Sequence, residues 1–281
     1  MNYRLLLSWF DRIWAGQLFH IFILYFALID SGIPFLLKII LCGSGVLALF
    51  FIKEIPERYF YWIYFISLTI CLTLTYFEAP NHFFLFFYLS LFMAIREEGW
   101  IKNFDYPCWL LILVFGLATV QKIISPQFME GDFMGYLFMQ RISLYFINAQ
   151  LLPELEGLSK NFMDTFSSVY TSDSEILSLP FQISDRLVGY ALAHSYLVIV
   201  VELILVLILI FFNHKIRYVA VLAFVWVTLA FRFEYSFFAI LCLCVLMDGK
   251  IEKFPVLRAC FIFSMAVFVS LGTFAFGVIS E

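Results

Sequence analysis

Leu187-Val-Gly-Tyr-Ala-Leu-Ala-His194-Ser-Tyr-Leu-Val-Ile-Val-Val-Glu202-Leu-Ile-Leu-Val-Leu-Ile-Leu-Ile210-Phe-Phe212 decides the fold. A helix of about 20 apolar residues crosses a bilayer, and only His194 and Glu202 interrupt this run with ionisable groups. Working outward, similar runs cover 16–32, 36–52, 59–77, 83–95, 106–125, 216–231, 235–248 and 255–279. The expected fold is therefore all-α, a polytopic helical membrane bundle of about 8–9 transmembrane or partly inserted helices, with residues 1–281 forming a single membrane domain. The runs at 83–95, 216–231 and 235–248 are short. The last two read as a tight hairpin around Arg232-Phe233-Glu234 that does not emerge fully from the membrane.

Composition agrees. The chain is 64% hydrophobic and 14% charged, against about half and a quarter in a soluble domain. The net charge of −4 gives no basic footprint, so nucleic acid is excluded as a partner and the lipid bilayer is the expected surroundings. The 37 Phe residues read as lipid-facing and packing surface. Cys42, Cys71, Cys108, Cys242, Cys244 and Cys260 lie in or beside apolar runs without a metal-binding spacing. They read as buried free thiols, and no metal site is expected from spacing. Asp11 and Arg12 cut short the run Leu5-Leu6-Leu7 with no small-residue cleavage site after it. The first transmembrane helix is therefore expected to direct insertion.

If the spans alternate, eleven of the 17 Lys and Arg residues fall on the side of the N-terminus and six on the other. The positive-inside rule places the N-terminus in the cytoplasm. The long connection 126–186 then lies outside. It is acidic, yet carries Phe128, Phe133, Tyr136, Leu137 and Phe138. Residues 130–150 read as interfacial or re-entrant helices, and Ser167–Ser178 as a polar loop.

Charged groups inside a membrane are costly and need a reason. Lys122, in Ala118-Thr-Val-Gln121-Lys122-Ile-Ile124, either snorkels to the outer interface or serves a polar pocket. His82 either caps a helix start or joins that pocket. Arg232 and Glu234 either close the hairpin as an ion pair or line a path. His194 either bonds a neighbouring helix or faces substrate. Glu202 is too deep to snorkel: it is either protonated and hydrogen-bonded within the bundle, or it meets a cation or substrate. His20 reads as a packing residue and His214, beside Lys215, as solvated. The chemistry open to such a set is acid–base, because a lysine against apolar walls gives up its proton more readily and a nearby histidine relays protons.

Ala118-Thr-Val-Gln-Lys122-Ile-Ile-Ser-Pro-Gln-Phe-Met-Glu130-Gly131, followed by Phe133-Met-Gly-Tyr-Leu137, resembles the HTTM-domain family. This is the transmembrane part shared with vitamin K-dependent gamma-carboxylases, and it includes small bacterial members similar to sporulation-delaying protein B. Asn81-His82 ahead of an apolar helix is a second match, and the 194–248 region a weaker third. The resemblance implies Lys122 as the catalytic base, His82 as its catalytic partner and Asn81 as the residue that orients it. It implies a reduced quinone as the cofactor and a multi-pass place in the bacterial inner (plasma) membrane. Gln121, His194, Glu202, Arg232 and Glu234 are the expected binding residues around this pair. The chain departs from the family at Thr119 and Gln121, and it has no His in Phe224–Glu234. No large extramembrane substrate domain is expected, and glutamate carboxylation is not expected either.

Three functions follow. The first is a membrane-embedded enzyme using Lys122 and His82 at the outer leaflet on a quinol or peptide, carboxylase-like or a quinol-linked oxidoreductase. The second is a non-catalytic subunit or scaffold for a secreted peptide or partner membrane protein, contacting it through 126–186. A transporter lined by Glu202 and Arg232 is the least supported, because no inverted repeat is evident.

Overall fold

The computed structural model describes residues 15–29, 33–51, 54–74, 81–97, 105–139, 150, 152–170, 184–229 and 235–279. Among them every regular element is helical. The helices are α1 (Ala15–Ile29), α2 (Phe35–Phe51), α3 (Glu57–Leu74), α4 (Asn81–Glu97), α5 (Tyr106–Ile124), α6 (Pro126–Met129), α7 (Asp132–Met139), α8 (Glu154–Tyr170), α9 (Asp185–Phe211), α10 (His214–Leu229), α11 (Tyr235–Leu246) and α12 (Pro255–Ile279). Each of the nine apolar runs in the sequence forms a helix. Three of them, at Tyr106–Ile124, Asp185–Phe211 and Pro255–Gly272, are long and apolar enough to cross a membrane.

Local chemistry sets the helix ends. The Leu187 N–H donates to Ser184 Oγ at 3.2 Å, and the Ile216 N–H donates to Asn213 Oδ1 at 3.2 Å, so α9 and α10 each start on a capping side chain. Pro126 follows Ser125 and has no N–H to continue α5, so it opens α6 instead. Pro255 opens α12 in the same way.

The chain divides into two compact units: residues 1–114, 211–223 and 234–281 form the first, and 115–210 with 224–233 the second. The first unit has an aromatic core. Phe19, Phe22, Phe26, Tyr61, Tyr64, Phe83 and Phe86 from α1, α3 and α4 are buried. Phe19 stacks on Phe86 at 5.1 Å between ring centroids, and Phe26 meets Phe83 edge-on at 4.7 Å. Such pairs add to simple area burial, so the phenylalanines of these helices serve packing as well as surface. At the centre stands α11, against α1, α4 and α12. Every residue from Phe238 to Leu246 is buried. A helix that is apolar all round belongs inside. Cys242 and Cys244 point to different sides of α11, yet both lie in the core as free thiols.

In the second unit α8 lays an apolar stripe on α7. Leu155 and Phe162 are buried, while Glu156, Lys160 and Asp164 face outward. Leu155 joins Met134, Phe138, Leu152, Leu187 and Ala191 in one core. Each such side chain contributes roughly 1.5–3 kcal/mol when fully buried. The Ser159 hydroxyl donates to the Met139 carbonyl at 2.7 Å and so satisfies an orphan acceptor at the end of α7.

The connection 126–186 is thus more helical than the sequence reading allows. Of the stretch 130–150, Asp132–Met139 forms α7, and residues 140–149 lie outside the described ones. The helix α8 was not expected, and it takes in Ser167–Tyr170, the start of the stretch read as a loop. A Glu/Lys/Asp face alternating with Leu, Phe and Met is the pattern of a surface helix packed on one side, and the polar composition of 154–170 masks it.

Candidate functional site

On α9 the buried positions are Leu187, Ala191, Ser195, Ile199, Glu202, Leu205 and Leu209. They recur every three or four residues and define one stripe. The positions between them, including Tyr196, Val200, Leu203, Ile204 and Leu207, are exposed and apolar. Glu202 therefore lies on the packed stripe and not on the exposed apolar face. Lys122 sits in the last turn of α5. Its Nζ donates to both carboxylate oxygens of Glu202, at 2.6 and 2.7 Å. The two side chains are only 16% and 10% exposed. Lys122 Nζ also lies 5.8 Å from the centre of the Phe128 ring, within cation–π range. Phe128 is buried and stacks on Phe133 at 5.7 Å.

Gly131 holds the turn between α6 and α7 close to α9. Its φ is +85°, and a Cβ there would come within 2.8 Å of the Leu192 backbone nitrogen. Only glycine combines that backbone conformation with that approach. Gly131 thereby has a physical role: it lets the turn into α7 lie directly against α9.

Lys122 thus pairs within the protein, and its partner is Glu202. Gln121, one residue away, is exposed. His194 Nδ1 shares a hydrogen bond with the Tyr190 carbonyl at 2.9 Å, and its ring packs edge-on against Phe138 of α7 at 5.2 Å. Asn81 and His82 open α4, and their side chains lie outside the described ones. His82 belongs to the first unit and Lys122 to the second. Arg232, Glu234 and the hairpin tip they were expected to form also lie outside the described residues.

Elsewhere in the second unit, α7, α8 and the start of α9 border a cleft of about 310 Å³, which neither Lys122 nor Glu202 lines. Glu130, Asp132 and Tyr136 edge it, and Met139, Phe162, Leu187 and Ala191 are among the residues that line it.

Two polar clusters in the first unit went unread in the sequence. His20, read as a packing residue, is fully buried, and its Nδ1 shares a hydrogen bond with Tyr64 Oη at 2.8 Å. Its Nε2 stands 3.7 Å from Glu57 Oε1. His214, read as solvated, lies half-buried instead, with Nδ1 3.8 Å from Asp105 Oδ2 and 4.0 Å from Asp248 Oδ2. Asp105, His214 and Asp248 are too far apart along the chain to form a motif. Their common trait is that each sits at or beside a helix end: before α5, at the start of α10 and after α11.

No protein-family model, no curated protein and no solved structure matches this chain.

Chemically, the pair places an amine and a carboxylate within hydrogen-bond reach of each other, the two group types that acid–base chemistry uses.

Proposed function

We propose that this chain is a multi-pass membrane protein of HTTM type whose Lys122–Glu202 pair performs acid–base chemistry near the outer face of the membrane. The observation that carries the reading is the doubly hydrogen-bonded pair at 2.6 and 2.7 Å between two helices each long and apolar enough to span. A pair so placed is costly to assemble, and a purely apolar contact would serve packing as well. The substrate is a lipid-soluble quinol or a peptide, with a reduced quinone as the expected cofactor. His82 remains the proposed second catalytic residue, oriented by Asn81. In this reading the N-terminus is cytoplasmic, the chain forms about 8–9 transmembrane or partly inserted helices in a bacterial inner membrane, and α6–α8 lie outside.

The test uses the purified full chain in detergent with a short-chain naphthohydroquinone, followed by oxygen uptake. Lys122→Arg keeps the positive charge facing Glu202, but a guanidinium does not give up its proton. Wild-type protein is expected to consume oxygen in a hydroquinone-dependent way, and K122R to lose about 10²–10⁴-fold while remaining folded, the usual worth of a positioned base. Equal rates in the two proteins, or no uptake by the wild type, would remove the quinol-enzyme reading.

A second reading is favoured by the cleft that α7, α8 and the start of α9 border. Two carboxylates and an aromatic ring edge it, which suits a non-catalytic subunit holding a secreted peptide or partner protein. Under that reading a partner co-purifies with the chain and is lost when residues 130–180 are removed; an unchanged complex counts against it.

A further inference from the structure

The first unit gathers Asp105 from the start of α5, His214 from the start of α10 and Asp248 from the end of α11, with one ligand atom of each within 4.8 Å of the others. The contacts around them are polarised in a particular way. Asp248 Oδ2 accepts from the Tyr218 hydroxyl at 2.6 Å, and Asp248 Oδ1 accepts from the Lys250 backbone N–H at 3.0 Å. Asp105 Oδ2 accepts from Lys250 Nζ at 3.1 Å and faces Arg217 at 3.5 Å. The atoms left over are Asp105 Oδ1 and His214 Nδ1. Both are buried and neither has a hydrogen-bond partner. His214 Nδ1 stands 3.8 and 4.0 Å from the two carboxylates. That is too far for a hydrogen bond, and close to the separation of two donors that each lie about 2.0–2.2 Å from a shared cation. Buried groups left without a partner call for an occupant.

We propose that Asp105, His214 and Asp248 form a divalent transition-metal site of one imidazole and two carboxylates, independent of the Lys122–Glu202 pair. Such a donor set suits zinc and its neighbours in the first transition row. Tyr218, Arg217 and the Lys250 backbone N–H then act as the outer groups that fix the two carboxylates, as hydrogen-bonded ligands commonly require. The ion clips together three helix ends that meet nowhere in sequence. Lys250 is the competitor. Its ammonium shares Asp105 with the incoming cation, but its side chain is 44% exposed, so it can swing into water.

This competition separates a metal site from a plain ion cluster. Full-length protein in detergent is stripped with chelator and dialysed against Zn²⁺ alone. Bound metal is then counted by elemental analysis, and thermal stability is followed with and without Zn²⁺. Wild type is expected to hold one equivalent and to melt higher with zinc. His214→Ala and Asp105→Asn are expected to bind at least tenfold more weakly and to lose the zinc-dependent shift. Lys250→Met is expected to bind several-fold more tightly. H214A and K250M need no refolding of the core, since both residues are partly exposed. Absence of stoichiometric zinc in the wild type and in K250M would overturn the proposal. So would equal binding by wild type and H214A, which would assign the metal to adventitious sites, with water filling the gap instead.

Discussion

Replacing one member of the Lys122–Glu202 pair should harm the protein far more than replacing both. At an effective dielectric constant of about 20 and a charge separation of about 3 Å, the attraction is about 5–6 kcal/mol. Removing each ion from water costs several kcal/mol, so the pair as a whole nearly breaks even. With side chains only 16% and 10% exposed, a lone survivor cannot recover its hydration in place. Lys122→Met or Glu202→Leu alone is therefore expected to cost about 3–5 kcal/mol, whereas the double variant stays within about 1–2 kcal/mol of wild type. On the scale of larger domains, each kcal/mol moves the midpoint by about 2–4 °C. The singles should thus melt roughly 6–20 °C lower, and the double near the wild type. The assay is thermal challenge of detergent-solubilised protein, read as the surviving monodisperse fraction. If the double variant falls as far as the two singles added together, the residues act independently and the argument fails.

Other substitutions probe separate parts of the structure. Gly131→Ala forces a strained backbone against Leu192 and is expected to cost about 1–3 kcal/mol, with greater protease access to α6–α8; an unshifted melting curve would show that α6 and α7 do not depend on the close approach to α9. Tyr64→Phe leaves His20 Nδ1 without its partner in the core and is expected to cost about 1–3 kcal/mol. If Y64F melts with the wild type, the His20 bond is not formed in solution. Leu155→Ala removes a buried side chain from the core under α8, at about 2–5 kcal/mol; limited proteolysis should then cut within 150–170 first, and cutting elsewhere would contradict the packing of α8 on α7.

The helices were legible because long apolar runs have few alternatives, and all nine runs are helical. What the runs hid was facing. The α9 helix is apolar on its exposed side and nearly so on its packed side, so no periodicity marked Glu202 as inward. The depth of Glu202 demanded a partner, but only the fold names Lys122, 80 residues away in sequence. The helix α8 was missed for the opposite reason: its outward face is polar enough to read as loop. Asp105, His214 and Asp248 each look like ordinary loop residues, and their convergence depends on tertiary structure alone. The short run at 235–248 looked like a shallow hairpin arm, whereas α11 is the core of the first unit, a role that length and composition do not separate from a partial span.

The pairing of Lys122 with Glu202 also bears on how such a chain is made. Synthesis delivers α5 before α9, with α6–α8 emerging between them. For a chain inserted helix by helix, Lys122 reaches the membrane with no counter-charge and has to wait, its amine reaching up to the interface from the last turn of α5. Only when α9 arrives can the carboxylate and the ammonium meet and the lysine withdraw. In a chain built in that order, the Lys122–Glu202 contact forms only once α9 is in place.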